Sequence, residues 1–292
     1  MSSNFTFHTT AAEVADAFAS ELSGKNVLVT GTSLGGLGFE TARVLAKYAN
    51  LVIITGYNAE RLALSEETIK KEFPYANIRK LTLDLSSLAA VRAAAAQVNT
   101  YPEPLHVLIN NAVADIGPFK VTPDNLEFQI ATGFIGPFLF TNLLIPKLLA
   151  ARTETYAPRI VCLSSIAHGF GPGVDPAALG APISERYPTI FGPYYETKSA
   201  MILFASELSK RAEGKLLAFS VNPGCPYDFF FIAEFVESEL LAVIYTNLLD
   251  DAAAGSDHHG SPAGSPTTTR TRTRESTRPA PRVRVTRHFT RG

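Results

Sequence analysis

Short apolar runs alternate with longer stretches of helical periodicity between residues 26 and 221 of this 292-residue chain. The apolar runs resemble strands buried on both faces, whereas the segments between them repeat apolar side chains every three or four positions. This alternation predicts a doubly wound α/β fold: one domain with a mostly parallel sheet and helices on both faces. The predicted strands are 26–30, 51–55, 78–83, 105–110, 159–163 and 216–221, and the predicted helices are 11–22, 36–49, 58–72, 87–98, about 125–150 and 194–212.

The turn between the first strand and its helix is rich in glycine, with the sequence Thr-Gly-Thr-Ser-Leu-Gly-Gly-Leu-Gly over residues 30–38. Such a turn exposes backbone N–H groups and a positive helix end, which together suit a pyrophosphate. A plain tight turn is the alternative for this segment taken alone. We predict a Rossmann-type dinucleotide site whose contacts here are Gly31, Ser33, Gly36, Leu37 and Gly38.

Four further motifs follow at predicted strand ends or helix starts: Asp84, Asn110-Asn111-Ala112, Ser164-Ser165 and Tyr194 to Lys198. In this order and spacing, and together with the glycine turn, they resemble the classical short-chain dehydrogenase/reductase family over roughly residues 5–224. The resemblance is greatest to retinol-dehydrogenase-like members with a long substrate loop. That loop would be the Gly- and Pro-rich segment 166–193, for which a tolerated surface insertion is the alternative.

The resemblance implies a catalytic set for hydride transfer to or from a carbonyl carbon. Tyr194 would move the proton, Lys198 would bind the nicotinamide ribose, and Ser165 would hold the substrate oxygen, with Ser164 as the alternative. A spacing of four places Tyr194 and Lys198 on one helix face, where the ammonium would stabilise the phenolate. Tyr195 is one position out of register.

One position departs from the family pattern. Gly133 stands where relatives have an active-site asparagine, whose main-chain carbonyl holds a water that connects the lysine to solvent. Pro137 has no N–H for the carbonyl of Gly133, so we predict an interrupted helix that leaves this acceptor free. On that basis, Gly133→Asn is expected to raise turnover or leave it unchanged. The alternative is a catalytically impaired nucleotide-binding relic.

The cofactor is predicted to be NADP, with NAD possible. The second strand ends Thr55-Gly56-Tyr57-Asn58, without the acidic residue that binds a ribose 2′-hydroxyl and repels a phosphate. Tyr57, Asn58 and Arg61 are candidates for the phosphate. The other cofactor contacts that the resemblance implies are Asp84 (adenine, with helix capping as the alternative), Leu85, Asn110, Asn111, Ala112, Tyr194, Lys198, Pro223 and Gly224.

Composition and charge limit the classes of ligand and partner that we expect for this chain. The formal net charge is −1, and the two cysteines, Cys162 and Cys225, suit a reducing cytoplasm. We expect a small carbonyl or alcohol substrate, no metal site, no nucleic-acid partner and a possible homo-oligomer. Glutamates interrupt the apolar stretch 229–245, so no membrane span is predicted there.

The C-terminal part departs from the family pattern. Joining Gly224 directly to Val243 would restore that pattern, so 225–242 is predicted to be an insertion or retained intron in a domain that ends at 249. Residues 250–292 contain many Thr, Arg, Pro and Gly residues, and we expect a disordered basic tail in place of the family's last strand and helix.

Overall fold

The strands form one parallel sheet. The computed structural model describes residues 5–6, 9–176 and 186–224. Within this part of the chain the strands are β1 (Asn26–Val29), β2 (Leu51–Gly56), β3 (Ile78–Thr82), β4 (Val107–Asn110), β5 (Arg159–Leu163) and β6 (Leu217–Val221). They lie in the order β3-β2-β1-β4-β5-β6, and every neighbouring pair is parallel. The chain reverses its direction of winding between β1 and β4, so the carboxyl ends of these strands form the crevice where ligands of such sheets bind.

The helices lie between the strands, as the periodicity predicts. They are α1 (Ala11–Ala17), α2 (Ala19–Leu22), α3 (Leu37–Ala46), α4 (Ala59–Glu72), α5 (Leu88–Asn99), α6 (Phe128–Ile130), α7 (Gly136–Leu149) and α8 (Gly192–Ala212). Two predicted helices are divided. The helix expected over 11–22 is broken at Phe18, which leaves the helical region, and a π-helical turn over Ala131–Ile135 separates α6 from α7.

Alternate side chains of the buried strands lie in two hydrophobic cores, one on each face of the sheet. In β1, Val27 and Val29 belong to the core under α1, α3 and α4, whereas Leu28 belongs to the core under α5, α7 and α8. Phe140, Leu144 and Leu148 of α7 lie in the second core, and all three are completely buried. Helices therefore cover both faces, which confirms the doubly wound, Rossmann-type fold.

Several sequence-based expectations concern residues outside the described part. Residues 225–292 contain the proposed insertion, the domain end at 249, the apolar stretch 229–245 and the basic tail, and residues 177–185 belong to the predicted substrate loop. Among the described helices, one continuous segment, 128–149, is long and apolar enough to cross a membrane by length and composition alone, and half of its most apolar window is buried inside the protein. Burial of that extent is also found in core helices of folded domains.

Candidate active site

The glycine turn connects β1 to α3 at the carboxyl edge of the sheet. Gly31 has φ +72°, and a Cβ there would lie 2.8 Å from the Cα of Ala112, so close backbone packing requires glycine. A Cβ on Gly38 would overlap the Asn111 amide and the Gly31 carbonyl. Gly36 differs, since the nearest atom to its Cβ would be the Ser33 carbonyl oxygen at 3.3 Å.

The N-terminus of α3 is open to an anion. Gly36 is its N-cap residue, and no side chain caps the first turn, which begins at Leu37. Ser33 is exposed in the loop before it. The uncapped N–H groups and the positive helix end therefore fit a pyrophosphate, and Gly36, as the N-cap residue, lies directly before them.

The side chains of Asn110 and Asn111 form hydrogen bonds within the protein. The Asn110 amide donates to the Thr141 hydroxyl at 2.9 Å, and the Asn111 amide donates to the carbonyls of Thr30 and Gly31 at 2.8 and 3.1 Å. The Thr30 hydroxyl in turn accepts the N–H groups of Asn111 and Ala112, each at 3.0 Å. Asn111 thus holds the glycine turn against the end of β4, whereas Asn110 joins β4 to α7.

The end of β2 is free of acidic side chains over residues 55–58. Tyr57 is 67% exposed, and the Asn58 side-chain carbonyl accepts the Arg61 N–H at 2.9 Å as the N-cap of α4. Arg61 is exposed and forms no salt bridge with the described residues. Three groups able to face a ribose phosphate thus lie next to one another here.

Asp84 and Leu85, two further predicted cofactor residues, follow β3. One Asp84 oxygen accepts the backbone N–H and the hydroxyl of Ser86, at 2.9 and 2.6 Å, whereas the N-cap of α5 is Ser87. The Asp84 side chain therefore stabilises a local turn and does not cap α5. Leu85 is buried, and its carbonyl lies where a Cβ on Gly136 would be.

Pro223 and Gly224 follow β6 at the same edge of the sheet. Gly224 has φ +88°, and its N–H donates to the Asn222 side chain at 3.2 Å. The described part of the chain ends with these two residues.

Tyr194 and Lys198 lie one turn apart near the start of α8. The Lys198 ammonium is 5.5 Å from the centre of the Tyr194 ring and donates to the Leu163 carbonyl at 3.0 Å. Lys198 is only 5% exposed, and this burial lowers its pKa to about 8. The structure therefore brings together the predicted proton donor and the cation that would stabilise its phenolate.

The two serines at the end of β5 have different surroundings. The buried Ser164 hydroxyl donates to the Lys198 backbone carbonyl at 2.8 Å and so joins β5 to α8. The Ser165 hydroxyl accepts the Ala167 N–H at 3.2 Å, and no hydrogen bond that it donates is found within the described residues. Among the described residues, the Ser165 hydroxyl proton therefore has no acceptor, whereas the Ser164 proton is donated to α8.

The helical segment contains a π turn at the position of the missing asparagine, and the free Gly133 carbonyl stays a prediction. The N–H of Gly136 donates to the carbonyl of Ala131, five residues earlier, and α7 begins directly before Pro137. Such single π turns often mark functional sites.

Sequence reasoning missed the neighbour of Gly133. A Cβ at this position would lie 2.5 Å from the Thr197 methyl carbon, so Thr197 fills the space in which a side chain would begin. The hydroxyl oxygens of Thr197 and Thr132 are buried without partners among the described residues. The local sequence carries no signal for this contact, because it joins two helices 64 positions apart (197 − 133).

Comparisons with known proteins agree with this geometry. The family model for short chain dehydrogenases matches residues 25–177, so the chain belongs to that family. An uncharacterized oxidoreductase of Schizosaccharomyces pombe is 36% identical over 217 residues, which cover 70% of this chain and 61% of the relative. Retinol dehydrogenase 13 of Mus musculus is 35% identical, covering 70% of this chain and 59% of the relative. The chain is thus retinol-dehydrogenase-like, but it spans only about three fifths of the length of these relatives.

Solved structures share the fold. An uncharacterized protein from Mycobacterium Paratuberculosis has a TM-score of 0.60 and 29% identity, covering 83% of this chain and 81% of its own. A short-chain dehydrogenase from Sphingobium yanoikuyae, in complex with NADPH, has a TM-score of 0.52 and 20% identity, covering 68% and 70%. The family model and the shared fold place this chain among the short chain dehydrogenases.

Proposed function

We propose that this protein is an NADP-dependent oxidoreductase acting on a small or mid-sized ketone, aldehyde or secondary alcohol. The observation that carries the proposal is the placement of Tyr194 beside the buried Lys198 ammonium, which bonds the Leu163 carbonyl two residues before Ser165, at the sheet edge that also holds the open α3 N-terminus. A bound nicotinamide supplies or accepts the hydride.

In the direction of reduction, the Tyr194 hydroxyl gives its proton to the substrate oxygen while the carbonyl carbon receives the hydride. Ser165 donates a hydrogen bond to the same oxygen and fixes its position. The Lys198 ammonium stabilises the phenolate that remains on Tyr194. Because one ammonium proton goes to the Leu163 carbonyl, two are left for the ribose hydroxyls and the phenolate.

The preference for NADP over NAD rests on the end of β2. No carboxylate there would repel a 2′-phosphate, and the exposed Arg61 has no ion-pair partner among the described residues. The Sphingobium yanoikuyae enzyme, which shares the fold, is in complex with NADPH. We expect Arg61→Ala to weaken NADPH binding and to leave NADH binding unchanged, as measured by calorimetry. Tighter binding of NADH than NADPH by the unaltered protein would contradict this preference.

The activity is tested by following loss of NADPH absorbance with a panel of ketones and aldehydes. Tyr194→Phe removes only the proton donor, so turnover is expected to fall by about 100- to 10,000-fold while NADPH affinity is retained. Tyr195→Phe is the matched control, because it removes the neighbouring hydroxyl from the same helix turn. A larger loss in the control would show that the assignment is one residue out of register.

A second candidate function follows from Gly133, which lacks the family's side chain. In that case the protein is a nucleotide-binding relic with impaired catalysis. NADPH binding without turnover of any carbonyl compound in the panel would favour the relic over the enzyme.

A further inference from the structure

A buried ion pair joins the segment before α8 to the first turns of that helix. The Arg186 guanidinium bonds both carboxylate oxygens of Glu196, and the Tyr187 hydroxyl donates to the same carboxylate at 2.6 Å. The side chains of Arg186 and Glu196 are only 10% and 9% exposed. We refer to Arg186, Tyr187 and Glu196 as the clasp.

Further contacts hold the same segment in place. The Gln129 side-chain amide donates to the Ile190 carbonyl at 3.0 Å. The Tyr187 ring lies 6.3 Å from the Phe119 ring and would be 2.9 Å from a Cβ on Gly192. Residues 186–192 are therefore fixed to α8 on one side and to α6 on the other.

The charge of Glu196 needs this arrangement. A buried carboxylate is costly unless it is paired and hydrogen-bonded, and Arg186 and Tyr187 meet both needs. A second carboxyl group nearby is that of Glu127, whose pKa is raised by burial and, to a lesser extent, by the charge of Glu196. The cluster thus contains one cation for two carboxyl groups, so loss of either clasp partner leaves the other without its counter-charge.

The clasp lies at the uncapped start of α8. No side chain caps the helix, which begins Gly192-Pro193, and Tyr194 occupies its first turn. Lys198 is held separately, because its ammonium bonds the Leu163 carbonyl. Fraying of the first turn would therefore move Tyr194 relative to Lys198.

We propose that Glu196 is a positioning residue for Tyr194: the clasp locks the first turn of α8 and keeps the phenol beside the Lys198 ammonium. It also makes residues 186–192 a fixed wall of the site. The kinetic part of this inference rests on the proposed oxidoreductase function, whereas the locking of the helix turn does not.

The first test measures the helix turn without any turnover. Glu196→Gln keeps the shape and a hydrogen-bond acceptor for Tyr187 but removes the ion pair. Amide hydrogen exchange followed by mass spectrometry is expected to become about tenfold faster over residues 192–196. Glu207→Gln is the control, since it breaks an exposed ion pair with Arg211 on the same helix. Unchanged exchange in Glu196→Gln would overturn the clasp.

The second test measures the position of Tyr194. Glu196→Gln is expected to lower kcat about tenfold or more, to leave NADPH affinity within about twofold, and to shift the pH profile of kcat because the phenol loses its ammonium. Glu196→Gln with Arg186→Met removes the unpaired charge, so thermal stability recovers whereas kcat stays low. Faster exchange with an unchanged kcat and pH profile would overturn the positioning role. Absence of turnover in the parent protein would instead overturn the proposed function, and the exchange result would still decide on the clasp.

Discussion

Restoring the family's asparagine at position 133 is expected to damage this protein unless position 197 changes as well. The added Cβ would lie 2.5 Å from the Thr197 methyl carbon, and Thr197 is only 1% exposed. A threonine in a helix is short and stiff, so the clash is relieved only by moving α8 or the π turn. The structure thus corrects the expectation that Gly133→Asn alone raises turnover or leaves it unchanged.

The size of the effect follows from packing. Overfilling a packed site costs about 1–3 kcal/mol, and replacing glycine by asparagine in a helix returns only about 0.3 kcal/mol. In a domain of this size 1 kcal/mol changes Tm by about 2–4 °C, so Gly133→Asn is expected to lower Tm by roughly 2–10 °C.

Thr197→Ala makes room at small cost. It loses about 0.8 kcal/mol of methyl burial, which is offset by removal of a buried hydroxyl without a partner, a group that costs about 1–3 kcal/mol. The double variant is therefore expected to lie within about 1 kcal/mol of the parent, with a coupling of about 1–2 kcal/mol between the two sites.

Thermal and urea unfolding of the four proteins in this cycle measures the coupling, and NADPH turnover of the same samples measures its effect on the site. Turnover is expected to fall in Gly133→Asn and to return to the parent level or above in the double variant. Additive changes in unfolding free energy, or a Gly133→Asn protein as stable as the parent, would refute the packing argument.

Three further outcomes are expected. Because burial lowers the pKa of Lys198 to about 8 from 10.5, the unfolded chain binds the extra proton, and the free energy of unfolding should rise between these pH values; Lys198→Met should flatten that rise in urea titrations. Gly36→Ala should weaken NADPH binding with only a small loss of Tm, whereas Gly38→Ala should lower Tm more because its Cβ would overlap the Gly31 carbonyl; equal Tm losses would contradict this. Pro137→Ala returns an N–H that can bond the Gly133 carbonyl, so it should slow turnover if that carbonyl is the predicted acceptor, and an equal rate would show that the carbonyl has no role.

The sequence pattern located the strands to within a few residues because strands buried on both faces are continuous apolar runs. The glycine turn and the Tyr194–Lys198 spacing were equally visible, since each is a local signal. The contact between Gly133 and Thr197 could not be predicted, because complementarity of two side chains on different helices leaves no periodic trace. The same holds for the clasp, in which Arg186 and Glu196 meet only after the chain has turned into α8.

Lys198 is tied to β5 twice, through its ammonium on the Leu163 carbonyl and through its own carbonyl on the Ser164 hydroxyl. The sheet therefore fixes the position of Lys198, whereas the segment before α8 fixes only the first helix turn, which contains Tyr194. The predicted substrate loop should then be replaceable by the loop of another family member without displacing Lys198. A graft that retains the arginine and tyrosine of positions 186 and 187 should bring a new substrate wall while the lysine stays in register with the strand.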